Sequence, residues 1–320
     1  MKYRAIISEA WALTQENKKL IWMYGFVPAL LGALFSVGYF SYQFAAFWTS
    51  PYVHPGIPED KHALNFLFNV LRDGLSSHTS FTVFALVILA LFALCYLMVP
   101  VFAQGALIQI LAHKRAGQEV STVQGITFGF TRFLQLFEYH LVLRTFSVVG
   151  LAGEAAFVYR NAGPGIFAFV GWFFLLAIVI GLLVTLLFTY AEYYLVIDKE
   201  GVVSSMLKSS GLVVRQWHHT LFMLLLMSII VIRLALNVAV ALLVPLLILG
   251  PFFLFTSLTT SAVLAAVGGL LALVALYFAS YFLATFHVFA TGVWTFTFLD
   301  LTKEDQGGID LHEAAVHQEE

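Results

Sequence analysis

Seven polar side chains stand inside runs of apolar sequence long enough to cross a bilayer, and they are where chemistry has a foothold in this chain. They are Gln104, Arg144, Glu154, Glu192, Arg233, His287 and Thr291. A charged side chain at the centre of a membrane helix costs roughly 2.5–3.5 kcal/mol on insertion scales, so it is kept only where it is paired, hydrated or used. One reading is a hydrophilic pathway or a site for an anionic ligand. The other is internal ion pairing that fixes the packing, because two basic and two acidic groups can cancel. With a rise of about 1.5 Å per residue, Arg233 and Glu154 fall at similar depth, and so do Arg144 and Glu192. Those two pairings are the expectation. His287, near mid-bilayer, is expected to hydrogen-bond a neighbouring helix rather than ligate a metal.

Elsewhere the residue types for chemistry lack the spacing for it. His218 and His219, with His113, His312 and His317, fall on one side of the membrane, and His54, His62 and His78 on the other. None has the His-Glu-x-x-His arrangement that puts two ligands and a base on one helix face. There is no Gly-x-Ser-x-Gly elbow, Walker loop or dinucleotide fingerprint. No catalytic residue, metal site or cofactor is therefore predicted, and the chain reads as a non-enzyme. The single Cys95 excludes an intrachain disulfide. A net charge of -2, with no basic cluster beyond Lys18-Lys19 and Lys114-Arg115, argues against nucleic acid. The expected partners are membrane lipids and a protein within the membrane.

The elements that must position these residues are membrane helices. Hydrophobic residues make up 61% and charged residues 11% of the chain, against about 25% charged in soluble domains, and mean hydropathy is +0.90. Six stretches reach the ~20 apolar residues that a spanning helix needs: 20–48, 81–112, 139–159, 166–197, 221–255 and 258–299. The third is interrupted by Arg144 and Glu154; dropping it leaves five spans and sets the two halves of the chain in opposite orientations. Pro28, Pro100, Pro245 and Pro251 are the expected kink points. Eleven Lys and Arg lie in segments on the side of the N-terminus, against Lys61, Arg72 and Arg160 on the other. That asymmetry puts both termini in the cytoplasm.

One unit occurs three times, in pseudo-repeats of about 1–113, 114–199 and 200–302: an amphipathic lead-in helix followed by a pair of spans. The lead-ins are 3–19, 120–137 and 202–217. Their mostly apolar stripes recur at helical period: Tyr3, Ile6, Ile7, Ala10, Trp11 and Thr14; Val123, Ile126, Phe130, Phe133, Leu134 and Phe137; Val203, Met206, Leu207, Ser210, Val213 and Trp217, faces expected to lie against the membrane. The second span of each pair ends alike, with a small residue and then a polar one: Ala103-Gln104, Ala191-Glu192 and Ala290-Thr291. Three hairpins in one orientation imply parallel repeats about an axis along the membrane normal. The far side carries short turns near 161–165 and 256–261 and one excursion, 49–80. In the excursion Asp60 is expected to cap a short helix whose Leu64, Leu67, Phe68 and Leu71 share a face. The tail 303–320 reads as a flexible cytoplasmic end.

Several runs resemble the poorly characterised bacterial six-span inner-membrane proteins, a group that includes the membrane domain attached to some glycerophosphodiester phosphodiesterases. They are Ala10-Trp11-Ala12-Leu13 ahead of Asn17-Lys18-Lys19, Gly105-Ala106-Leu107-Ile108, the lead-in from Gly125 to Phe133, and Tyr194-Leu195-Val196-Ile197-Asp198-Lys199-Glu200-Gly201-Val202, followed by Ser209-Ser210 and Arg215-Gln216-Trp217. The resemblance implies a fold and an envelope location and assigns no catalytic residue. The expectation is an all-α polytopic membrane protein of six transmembrane helices arranged as three hairpins, each preceded by an interfacial cytoplasmic helix. It would act as a lipid- or partner-binding accessory of the cell envelope or, alternatively, as a small-molecule or lipid transporter working through the polar intramembrane residues.

Overall fold

The computed structural model describes residues 3–56, 58, 62–256 and 262–316, with side-chain surroundings for these except at 64, 237–256, 262–268 and 304–316. Every regular element among them is helical. In chain order they are α1 (Tyr3–Glu16), α2 (Lys18–Leu20), a π-helical turn (Ile21–Phe26), α3 (Val27–Trp48), α4 (Ala63–Ser77), α5 (Thr79–Arg115), α6 (Gln124–Thr131), α7 (Phe133–Thr145), α8 (Val148–Leu187), α9 (Ala191–Val196), α10 (Val202–Arg215), α11 (Trp217–Thr256) and α12 (Ala262–Val316). Five described stretches are long and apolar enough to cross a membrane: Lys18–Trp48, Thr79–Arg115, Val148–Leu187, Trp217–Leu236 and Gly269–Lys303. The chain is a multi-pass membrane protein.

The region read as a third and fourth span is built differently from a simple pair. It comprises α7, the long run α8 and the short α9, and α8 is itself two helices meeting at Gly163, whose φ of 85° and ψ of 168° are not helical. Only glycine adopts that backbone without strain, and a Cβ there would fall 2.6 Å from a ring carbon of Tyr52. The contacts across the kink are symmetrical about it. Tyr139 donates its hydroxyl to the carbonyl of Phe188 (2.8 Å), Gly181 packs on the carbonyl of Phe146, and the rings of Tyr159 and Phe167 meet edge to face at 5.4 Å. The segment before Gly163 therefore runs back alongside the segment after it.

The three lead-ins pack with small residues inward. α1 buries Ile6, Ala10 and Thr14, part of its periodic stripe, and packs on α12, while Trp11 of the same stripe is exposed. The other two pack mainly through small residues and leave most of the apolar stripe outside the protein, where an interfacial helix is expected to carry it. The stretch 120–137 breaks at Arg132, and α6 buries Gly125 and Gly129 while Val123, Ile126, Phe130 and Leu134 are exposed. Likewise α10 buries Ser205, Ser209, Leu212 and Val213 and exposes Val203, Leu207 and Val214. The reason is distance: without a side chain Gly129 lets α6 approach α5 until a Cβ would sit 2.6 Å from the Phe102 ring.

These contacts close a ring. α5 packs on α6, α9 packs on α10, and α12 packs on α1. Arg115, at the end of α5, staples the closure: it reaches Asp300 of α12 (2.9 Å) and Glu9 of α1 (3.2 Å), donates to the carbonyl of Phe296 (2.6 Å), and lies over the Phe296 ring. Two apolar clusters fill the interior, one around Leu20, Leu107, Met223 and Phe296 and the other around Leu136, Tyr190, Leu195 and Phe298.

Three other expectations meet a different outcome. α12 continues as helix past Lys303 to Val316, where the sequence predicts a flexible end. The N-cap of α4 is His62, not Asp60, which lies outside the described residues, and the hydroxyl of Thr49 accepts from the N–H of Ala63 (3.2 Å). Pro100 is accommodated inside an unbroken α5, and Pro28 stands in the first turn of α3, just after the π turn; the turn expected at 256–261 and the surroundings of Pro245 and Pro251 lie outside the described residues.

Candidate functional site

The second half of each repeat ends in a small residue followed by a polar one, and the fold brings the three polar ones together. Gln104 comes from α5, Glu192 from α9 and Thr291 from α12. The amide nitrogen of Gln104 donates to Glu192 Oε1 at 3.0 Å, and the hydroxyl of Thr291 donates to Gln104 Oε1 at 3.3 Å. The Gln104 amide is thus both donor and acceptor, and it links the two other repeats. Gln104 and Glu192 are partly buried, and Thr291 is 4% exposed. Its second hydroxyl neighbour, Thr295, bonds back to the carbonyl of Thr291 (2.7 Å) and leaves no orphan group on that turn.

Glu192 has a second neighbour. Nε2 of His140, on α7, stands 3.8 Å from Glu192 Oε2, near enough for charge attraction and too far for a hydrogen bond. That nitrogen is buried and has no hydrogen-bond partner. His140 is the residue that sequence reasoning missed. Its signal is weak: it lies one helical turn before Arg144, on the same face of α7.

The expected ion pairs do not form. Among the described residues no ion pair joins Arg144 to Glu192 or Arg233 to Glu154. Arg144 instead holds its guanidinium 5.4 Å above the ring of Tyr96 on α5. Glu154 and Arg233 are both exposed on the sides of α8 and α11. Depth along a helix says nothing of azimuth, and azimuth separates these residues. His287, half-buried, lies one turn before Thr291 on the same face of α12. Of the seven candidates the fold unites three, sets His287 beside them, and disperses Arg144, Glu154 and Arg233.

Between α8 and α9 the helical hydrogen-bond ladder is interrupted, and side chains of α10 and α7 take some of its loose groups. Ser209 on α10 accepts from the N–H of Tyr190 (3.0 Å) and donates to the carbonyl of Leu187 (2.8 Å). Tyr139 takes the carbonyl of Phe188. The break places Glu192 at the start of a fresh helix, aimed at Gln104. No protein-family model matches this chain, and neither a curated protein nor a solved structure matches it.

Proposed function

We propose that this chain is a non-enzymatic accessory protein of the cell's inner membrane that binds lipid along its cytoplasmic face. In this reading the chain crosses six times as three hairpins, α8 turning back at Gly163, with both termini cytoplasmic and α1, α6 and α10 at the leaflet surface. The observation that carries it is the outward apolar face left by the packing of α6 and α10. Each spends its small residues on the protein and turns an apolar stripe outward, Phe130 at 66% exposed and Leu134 at 74% on one side, Leu207 at 68% on the other. Such stripes with Lys208 and Arg132 close by are suited to acyl chains and anionic headgroups.

The competing reading is a transporter working through Gln104, Glu192 and Thr291. The sealed position of Thr291 and the three-way hydrogen bonding speak for a staple between repeats instead. A cavity near the far ends of α3 and α8 is lined by none of the three.

The test uses single cysteines in a Cys95→Ala background, each carrying a fluorophore, with the protein in bilayers of brominated lipid. Labels at Phe130, Leu134, Leu207 and Val214 are expected to be quenched, and labels at Gln124 and Lys208 to stay bright. Equal quenching of both sets would sink the lipid reading. Export of a reporter inserted at 163–165, together with one between Pro55 and Asp60, and cytoplasmic retention of one after Glu320, is expected for six crossings. A cytoplasmic label at Pro55 would overturn that topology.

A further inference from the structure

At the end of the bundle opposite the Gln104 network, a buried cation lines a cavity and has no counter-charge among the described residues. Arg160, on the stretch of α8 just before the Gly163 kink, is 4% exposed. Its guanidinium is held by neutral groups: it donates to Gln43 Oε1 and to the hydroxyl of Tyr42 (3.5 Å), and it lies within 5.3–5.4 Å of the rings of Tyr42 and Phe157. Among the described residues no carboxylate comes within ion-pairing distance of it. Gln43 is locked in turn, its amide donating to the hydroxyl of Tyr39 (2.7 Å), so the guanidinium is held in one place. A charge taken out of water and answered only by neutral dipoles is costly, and the cost is relieved by a bound anion.

The cavity beside it has a volume of about 150 Å³, room for several waters or one small oxyanion. Arg160, His62, Ser50, Thr49 and Asn161 all contribute to its wall. Nε2 of His62 is buried without a hydrogen-bond partner. His62 is also the N-cap of the fifteen-residue α4, and Ala63, the first residue of that helix, lines the same wall. Arg160, His62 and the first residue of α4 therefore line one space, and a guanidinium, an imidazole and a helix N-terminus each favour negative charge. The wall is also well ordered by its own bonds, because Ser50, 2% exposed, donates to the carbonyl of Arg160 (2.8 Å). Trp48 and Tyr52, next in sequence to the lining residues Thr49 and Pro51, are exposed, and they are the residue types that sit at the headgroup level of a bilayer.

We infer that this cavity binds a phosphate oxyanion, gripped by Arg160 and His62 at the N-terminus of α4. The chemistry is shared by a lipid phosphodiester and by a soluble phosphate, and the site lies at the other end of the molecule from the stripes of α6 and α10, so it stands or falls apart from the lipid reading above.

The experiment takes the full-length protein in nanodiscs of zwitterionic lipid. Phosphate and glycerol 3-phosphate are titrated by calorimetry, and phosphatidylglycerol retention is measured by native mass spectrometry. Phosphate binding that displaces retained phosphatidylglycerol assigns the site to a headgroup; phosphate binding without lipid retention assigns it to a soluble ligand. His62→Ala is expected to weaken whichever ligand binds by ~10-fold, the loss of one charge-assisted hydrogen bond, and Arg160→Met to abolish it. If Arg160→Met fails to fold, Arg160→Lys, which keeps the charge and loses the fork, joins His62→Ala as the deciding pair. Binding of neither ligand to the wild type, or unchanged affinity in His62→Ala, would overturn the inference.

Discussion

Gln104 is the residue on which the polar network turns, since one amide serves two repeats. Replacing it with Leu leaves Glu192 Oε1 buried without its donor, a cost of ~1–3 kcal/mol and more if the carboxylate stays charged. Gln104→Leu is therefore expected to unfold earlier in a denaturing-detergent titration, whereas Glu192→Gln, which keeps an acceptor for the Gln104 amide, should stay within about 1 kcal/mol of wild type. The double variant Gln104→Leu with Glu192→Leu should be milder than Gln104→Leu alone, because the survivor is no longer stranded. Strict additivity of the two losses would show that the residues do not act together. The recurrence of a small residue and then a polar one at Gln104, Glu192 and Thr291 is legible in the sequence, but their meeting is not, because equivalent positions about an axis share a depth and a radius without having to touch. Arg144 and Glu192 mislead because the argument for pairing them used depth alone, and a side chain's azimuth on α7 is decided by what α5 offers it, here the ring of Tyr96.

At the scale of the element, helical period predicts which residues share a face and not which face turns inward. In α6 and α10 the apolar stripe is the outward one, a choice that makes sense only where the outside is lipid. Gly129 should then tolerate no side chain: Gly129→Ala drives a Cβ into Phe102 and is expected to cost ~1–3 kcal/mol, against less than ~0.5 for Thr127→Ala on the exposed side. Equal stabilities in thermal unfolding would count against the packing of α6 on α5. The start of α10 carries a pH dependence of its own. Its N-cap, Gly201, offers no side chain, and Glu200 just before it ties the helix start by accepting from Lys208 (2.6 Å) and from the hydroxyl of Ser204 (2.8 Å). The Lys208 bond above all, and the Ser204 bond after it, hold the Glu200 carboxyl below its usual range. A carboxyl depressed in the fold contributes stability that is present above its unfolded pKa of about 4.3 and lost as pH falls through the lower folded value. Amide protection over 202–208, corrected for intrinsic exchange, is expected to drop between about pH 5 and pH 3 in the wild type and to be low and flat in Glu200→Gln. A drop of equal size in both would mean that Glu200 is not its cause.

For the whole molecule, the consequence of three repeats is closure: the last helix has to find the first lead-in, as α5 finds α6 and α9 finds α10. That contact joins residues nearly the full chain apart, and no local pattern announces it; only the recurrence of small residues at the packing positions of all three lead-ins hints that they receive equivalent partners. It is open to a direct chemical test. The Cβ of Ala10 lies 3.4 Å from where a Cβ on Gly292 would stand, close to the ~3.5–4.5 Å that a disulfide requires. In a Cys95→Ala background, Ala10→Cys with Gly292→Cys is expected to cross-link on mild oxidation. Ala12→Cys with Gly292→Cys should not, because Ala12 is exposed on another face of α1. A protease site placed at Gly117, in the turn after α5, makes the result plain: the two cut fragments should run together on a gel without reductant and separate with it. Separation under both conditions would mean that the first lead-in and the last helix do not meet, and the repeats would then form an open arc in which Gln104, Glu192 and Thr291 have no common axis.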